Sequence, residues 1–113
     1  MWQLVSFEVS SGTQVKPRAR LILKKKTRVF TGESSGDGPV DACFKAIDKI
    51  TSLKAKLEDF RLEAVTSGKD ALGHASLKLK NRDTTAIGRG SSTDIVEAAI
   101  RAYLDALNKL KTR

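Results

Sequence analysis

The sequence ARLILK at residues 19–24 returns as ASLKLK at residues 75–80, at an offset of 56. In both stretches aliphatic side chains occupy alternate positions. They are Ala19, Leu21 and Leu23 in the first stretch and Ala75, Leu77 and Leu79 in the second. A period of two places successive side chains on opposite faces of a strand, so each stretch is predicted to be a strand with one buried face. The repetition indicates that the chain contains one structural unit twice.

The repeat extends to both sides of these strands. VSSG at residues 9–12 is matched by VTSG at 65–68 at the offset of 56, and Gly-Asp-Gly at 36–38 by Gly-Arg-Gly at 88–90 at an offset of 52. The smaller offset predicts four extra residues in the first copy, in the loop around residues 31–35. Each G-x-G segment is predicted to be a turn that opens a helix. The apolar parity of the first strand does not match between the copies, because Leu4, Ser6 and Glu8 align with Phe60, Leu62 and Ala64.

Two segments have the period of an amphipathic helix, about Pro39 to Ser52 and about Ser92 to Lys111. Pro39 suits the first position of a helix, where its missing N–H costs nothing. Asp94 and Glu97 have the spacing of a capping box, with residues 91–93 as competing caps. Before the first of these helices, the alternation of Val5, Phe7 and Val9 with polar residues predicts a further strand, and Pro17 predicts an edge position or a strand entry.

These patterns predict an α+β fold made of two β-β-β-α units, about 2–53 and 57–111. Each unit has a small antiparallel sheet with one helix, and the two pack together around a pseudo-twofold axis. A single three-stranded unit has little core of its own. We therefore interpret the 113 residues as a single domain.

Composition excludes several classes of function. No apolar run approaches the roughly 20 residues of a membrane-spanning helix, and the N-terminus does not have the pattern of a secretory signal, which favours the cytoplasm. The single cysteine, Cys43, has no partner for an internal disulfide, and with the single histidine, His74, it leaves no Cys/His metal cluster. Cys43 falls on the apolar stripe of the first helix and His74 in a strand-like segment, so neither is assigned a catalytic role. No catalytic residue, metal site or cofactor is predicted for the chain.

The formal net charge of +8 raises nucleic-acid binding as an alternative. The cations cluster in the second strand and its turn (Arg18, Arg20, Lys24, Lys25, Lys26, Arg28) and at matching positions of the second copy (Lys78, Lys80, Arg82). Binding of single strands usually adds exposed aromatic side chains for stacking, and Phe7, Phe44 and Tyr103 fall instead on apolar stripes. A solvated strand face is the competing interpretation, and we favour it.

The two G-x-G segments also have two interpretations. Glycine allows a tight strand-to-helix turn, and the free N–H groups of a helix start attract an anion such as an amino-acid carboxylate. Neither segment has the full pattern of a phosphate-binding loop.

The sequence GDGPVDA at residues 36–42 resembles the hallmark of the C-terminal regulatory domain of the α-isopropylmalate synthase family. AVTSGKDALG at 64–73, GRGSSTDIVEA at 88–98 and AYLDALN at 102–108 are similar to later motifs of that family, so the resemblance covers nearly the whole chain. It implies a domain that binds leucine as feedback inhibitor and helps to form a homodimer. The related citramalate synthases have a similar domain that binds isoleucine, which stays open as an alternative effector. The resemblance also implies a separate catalytic TIM barrel, which holds the divalent metal and acetyl-CoA, so this chain is not expected to be an enzyme.

Carried over by position, the resemblance implies effector contacts in two groups. The first lies at the start of the first helix and comprises Gly36, Asp37, Gly38, Val40, Asp41 and Ala42. The second comprises Leu57, Phe60 and Ala64 on the first strand of the second copy and Ile95 at the second helix start. The helix N–H groups would bind the carboxylate of the effector, and Asp37 or a backbone carbonyl would bind its ammonium group. The residues of the second set would surround its aliphatic side chain.

Overall fold

The computed structural model describes residues 1–53, 55–64 and 72–111. The chain divides into two compact units, Met1–Leu53 and Lys54–Arg113. The first unit contains β1 (Trp2–Gly12), β2 (Val15–Lys25), β3 (Arg28–Ser35) and α1 (Pro39–Thr51). The second contains β4 (Lys56–Ala64), β5 (Gly73–Asn81), β6 (Thr84–Ser92) and α2 (Ile95–Lys111).

The first unit is an antiparallel sheet in the order β1-β2-β3, with α1 packed on β2 and β3. A two-residue turn joins β2 to β3, and its first residue, Lys26, has a positive φ of 58°. The predicted apolar positions of β2 are buried with the inner face of α1. The most buried of these side chains are Ala19, Leu21, Leu23, Ala42, Cys43, Ala46 and Ile47.

The second unit repeats this arrangement in the order β4-β5-β6, with α2 packed on β5 and β6. The turn between β5 and β6 again has two residues, and Arg82 takes the same φ of 58°. Its core contains the predicted positions of β5 together with α2. Its most buried members are Ala75, Leu77, Leu79, Ala98, Ala99, Ile100, Ala102, Ala106 and Leu107. The predicted α+β class with two β-β-β-α units is therefore confirmed.

Both helices begin and end where local chemistry favours it. α1 starts at Pro39, and it ends at Ser52, whose left-handed backbone (φ 58°) lets its N–H bond to the Asp48 carbonyl. α2 starts three residues later than the pattern predicted, because the Asp94 carboxylate caps it and accepts hydrogen bonds from the N–H groups of Val96 (2.8 Å) and Glu97 (3.3 Å).

The predicted alignment of the first strands is wrong. The register pairs Phe7 with Leu21 in one sheet and Phe60 with Leu77 in the other, so β1 and β4 correspond at an offset of 53. Each strand has a bulge between its first residues and this pair, and in β1 the extra residue is Val5, which is 53% exposed and not on the buried face. With this offset the apolar parities of the two strands agree. The predicted partner of residues 9–12, residues 65–68, lies outside the described residues.

The predicted second G-x-G turn is also wrong, and so are the four extra residues. Pro39 and Ile95 open the two helices at an offset of 56, and Gly32 and Gly88 occupy the same register position, opposite Leu21 and Leu77. Residues 88–90 therefore lie inside β6 and do not form a turn.

These strand glycines are needed because the helices approach the sheets closely. A Cβ atom on Gly88 would lie 2.0 Å from the Ala102 carbonyl oxygen, and one on Gly90 would lie 2.6 Å from the Ala98 carbonyl oxygen. α2 thus packs directly on the backbone of β6. Pro17 lies in the central strand β2, so the predicted edge position is wrong. It is the third residue of β2 and lies beside a register shift, where a strand tolerates proline.

Candidate functional site

The start of α1 holds six of the ten predicted contact residues. Gly38 is the N-cap, its carbonyl accepts a hydrogen bond from the Ala42 N–H (2.9 Å), and no side chain caps the helix. Pro39 has no N–H, so the N–H groups of Val40 and Asp41 are those that lack a carbonyl partner within the helix. A Cβ atom added to Gly38 would meet nothing within 4 Å, so this helix end faces open space. The arrangement suits an anion.

Two of the six residues shape this helix start. Gly36 is buried, its N–H donates to the Pro17 carbonyl (3.1 Å), and a Cβ atom there would lie 2.5 Å from the Ala42 nitrogen. Only glycine fits at that distance. Ala42 is fully buried, so its side chain belongs to the core.

Asp41 is held in place by the chain itself. Its carboxylate accepts a hydrogen bond from the Asp37 N–H (2.9 Å) and lies 3.2 Å from the Lys45 ammonium group. The backbone hydrogen bond from Asp37, with a smaller contribution from Lys45, holds the pKa of Asp41 below its usual value despite partial burial. Asp41 therefore orders the loop before α1, whereas the Asp37 side chain is exposed.

The two helix starts differ in their caps. Asp94 stands at the position that Gly38 occupies in the first unit, and its carboxylate already accepts the hydrogen bonds that an anion would receive at α2. A second anion there would meet that negative charge at close range. The start of α1 is the one of the two that is open to a carboxylate.

The other four predicted residues lie in the second unit. Ala64 and Ile95 line a cleft of about 220 Å³ beside the start of α2. Leu57 (39% exposed) and Phe60 (half-buried) lie further along the same face of β4 and are not part of its lining. Because α2 packs on β5 and β6, this face of β4 is largely uncovered.

The cleft also contains residues that sequence reasoning missed. They are Leu62, Glu63, Leu72, Gly73 and Thr93. Leu62 could have been predicted from the sequence, because it alternates with other residues and lies on the same face of β4 as Phe60 and Ala64. Leu72 and Thr93 come together with them only through the fold.

The remaining chemistry-bearing side chains have structural environments. The Cys43 thiol is fully buried in the core of the first unit, as predicted. His74 lies on β5, with its Nδ1 2.7 Å from the Ser91 hydroxyl. Within residues 1–53, 55–64 and 72–111, no three His, Cys, Asp or Glu side chains group in a way that could hold a metal ion. Neither of the described helices combines the length and apolar character that crossing a membrane requires.

Comparison with known proteins identifies the family. The model of the LeuA allosteric (dimerisation) domain matches residues 1–111. The 2-isopropylmalate synthase of Carboxydothermus hydrogenoformans is 49% identical over 105 residues, which are 92% of this chain and 21% of that synthase. The synthase of Pelotomaculum thermopropionicum is 46% identical over 110 residues (96% and 22%), and that of Ruminiclostridium cellulolyticum is 41% identical over 104 residues (92% and 20%).

The chain thus spans about one fifth of the length of the curated relatives it matches. The matched fifth is the regulatory portion and not the catalytic one. This chain belongs to the LeuA allosteric (dimerisation) domain family of the 2-isopropylmalate synthases.

Proposed function

We propose that this domain binds leucine and thereby mediates feedback inhibition of a 2-isopropylmalate synthase in the cytoplasm. The open start of α1 carries the proposal, because it has no side-chain cap, its N–H groups suit a carboxylate, and the family of the domain is allosteric. The N–H groups of Val40 and Asp41 would receive the leucine carboxylate, and Asp37 its ammonium group. Contacts of Leu57, Phe60, Ala64 and Ile95 with the aliphatic side chain stay predictions.

Leucine is favoured over isoleucine because the relatives make 2-isopropylmalate, as their name states, and leucine biosynthesis is the pathway of that product. The two amino acids differ only in the position of one methyl group. A pocket distinguishes such a pair by about 1–3 kcal/mol, so the distinction has to be measured.

We further propose that the domain acts within a homodimer and is attached to a catalytic part that supplies the chemistry. The divalent metal and acetyl-CoA implied by the resemblance would bind to that part. Bound leucine can inhibit a remote active site only if it binds one arrangement of the dimer more tightly than another.

Calorimetry of the 113-residue chain with leucine, isoleucine and valine tests the effector. Leucine is expected to bind most tightly. If none of the three releases or takes up heat while the chain binds RNA or DNA in a salt-sensitive manner, the proposal is overturned in favour of the nucleic-acid alternative.

Substitution of Gly38 tests the site. Gly38→Asp would give α1 the side-chain cap that Asp94 gives α2, so it should stabilise the helix slightly yet weaken leucine binding at least tenfold, because its carboxylate occupies the same N–H groups. Gly38→Ala is the matched control, since its Cβ has open space, and it should bind leucine within a few-fold of the parent. Equal affinity for both variants would remove the α1 start from the effector site.

A further inference from the structure

We propose that the face of sheet β4-β5-β6 turned away from α2 carries an oxyanion site centred on Ser76 and flanked by Arg61 and Arg89. The ligand class is a phosphate group, either as the free anion or as part of a small phosphorylated molecule. The inference does not rest on leucine binding.

The register of the sheet places these three residues in one row. Ser76 pairs with Arg61 on β4 and with Arg89 on β6. Side chains in such a row project from the same face, and neighbouring strands lie about 4.8 Å apart. The residues on either side of Ser76, Ala75 and Leu77, are buried on the α2 side, so the row points away from the helix.

The row borders a depression of about 180 Å³. Its other lining residues are Asp59, Leu77, Lys78 and Ile87. Three cations, one hydroxyl group and one carboxylate therefore line the same depression. Arginine binds phosphate oxygens through two parallel N–H groups, and a serine hydroxyl can donate a further hydrogen bond to the same group. Both arginines are exposed and so accessible to a ligand in solution.

Acidic neighbours compete only weakly for these cations. The Arg61 Nε lies 3.5 Å from the Asp59 carboxylate, and the Lys78 ammonium group lies 4.0 Å from Glu58. Such exposed pairs contribute little, typically below about 1 kcal/mol. Among the described residues, no carboxylate lies within ion-pair distance of the Arg89 guanidinium group.

The first unit provides an internal comparison. The equivalent row of sheet β1-β2-β3 is Glu8, Arg20 and Glu33, joined by the same register. There a single cation stands between two carboxylates, whereas in the second unit two cations flank a hydroxyl. The same scaffold position therefore has opposite charge in the two units. The cationic row is thus a property of these residues and does not follow from the fold or from the overall positive charge.

The test is a titration of the ¹⁵N-labelled 113-residue chain with inorganic phosphate at low ionic strength, followed by NMR chemical shifts. We expect saturable shifts centred on Ser76 and its two row partners. Arg61→Gln and Arg89→Gln should each weaken binding about tenfold, the loss that corresponds to one charge-assisted hydrogen bond. Arg20→Gln is the matched control in the equivalent row and should bind phosphate like the parent.

Asp59→Asn should strengthen phosphate binding severalfold, because it removes a carboxylate from the depression, and a misfolded variant would not show this gain. Equal weakening by the Arg20 variant, unchanged binding by both other arginine variants, or the absence of saturation would overturn the proposal. Titration with ADP distinguishes a phosphorylated molecule from free phosphate as the ligand. If ADP binds more tightly than phosphate, the ligand is a phosphorylated molecule, and if the two bind equally, it is the free anion.

Discussion

The close packing of α2 on β6 makes Gly88→Ala the most informative test of the fold. A Cβ atom at this position would lie 2.0 Å from the Ala102 carbonyl oxygen and 2.6 Å from the Ala106 nitrogen. A carbon atom needs about 3.4 Å from such an oxygen, and both obstacles are backbone atoms of one helix. Rotation of a side chain cannot relieve the contact, so α2 has to move away from the sheet by more than about 1 Å.

That movement sets the size of the effect. A radial gap of about 1 Å forfeits up to half of the dispersion energy of the atoms concerned, and overpacking of a core usually costs about 1–3 kcal/mol. Alanine also restricts the unfolded chain, and this effect alone raises the free energy of unfolding by about 0.4–1 kcal/mol. We therefore expect Gly88→Ala to lower the free energy of unfolding by about 2 kcal/mol.

Urea denaturation followed by far-UV circular dichroism measures this change. The midpoint should fall by about 1–2 M, given the slope typical of a small protein. Gly12→Ala is the control, because the nearest atom to its Cβ lies 3.9 Å away, and it should change stability by less than about 0.5 kcal/mol. If the two variants unfold at the same urea concentration, α2 does not pack on the backbone of β6 and the reasoning is refuted.

Three further predictions concern the two helices. In Gly32→Ala the new Cβ atom would first meet the side chain of Ile50, 2.5 Å from its Cγ1 and 2.9 Å from its Cδ1. Because this side chain can move, urea denaturation should show a loss of about 1 kcal/mol in the free energy of unfolding, which is smaller than the loss for Gly88→Ala. Asp94→Ala removes the carboxylate that caps α2 and should lower the free energy of unfolding by about 1 kcal/mol, whereas Asp94→Asn should retain most of it. The lowered pKa of Asp41 means that its stabilising contribution is present above the ordinary value of about 3.8 and is lost as the pH falls through the folded value. Asp41→Asn should therefore be less stable than the parent at pH 7, and the difference should shrink as the pH falls below 3.8. A difference independent of pH would contradict this.

Local signals predicted the elements whose causes are local. The alternation of Ala75, Leu77 and Leu79 predicted β5, and Pro39 with the stripe that follows predicted α1. The alternation of Val5, Phe7 and Val9 predicts a buried Val5, and this prediction fails because a bulge shifts the period of β1. No residue type in the strand indicates that bulge. The bulge becomes visible only when the partner strand defines the register.

The glycines of β6 show a second kind of failure. Gly-Arg-Gly was interpreted as a turn because glycine is the usual residue of turns. In the structure Gly88 and Gly90 are strand residues, and the reason for them is a helix that starts five residues after Gly90 and folds back over the strand. A long-range contact of this kind leaves the local pattern ambiguous. The common offset of 56 for Gly32 and Gly88 and for the two helix starts was the signal that could have resolved it.

The two units share the positions that let each helix pack on its sheet, and they differ at the two proposed sites. The aliphatic positions of β2 and β5, the glycine pair Gly32 and Gly88 and the two helix starts correspond at the single offset of 56, because in each unit a helix packs closely on the sheet. At the helix start, Gly38 leaves an open anion site while Asp94 closes its counterpart. On the outer face, Ser76 lies between two arginines while Arg20 lies between two glutamates. Neither difference changes the packing, so each is free to determine what binds. Exchange of these exposed positions between the units should therefore move the binding properties and leave both folds intact.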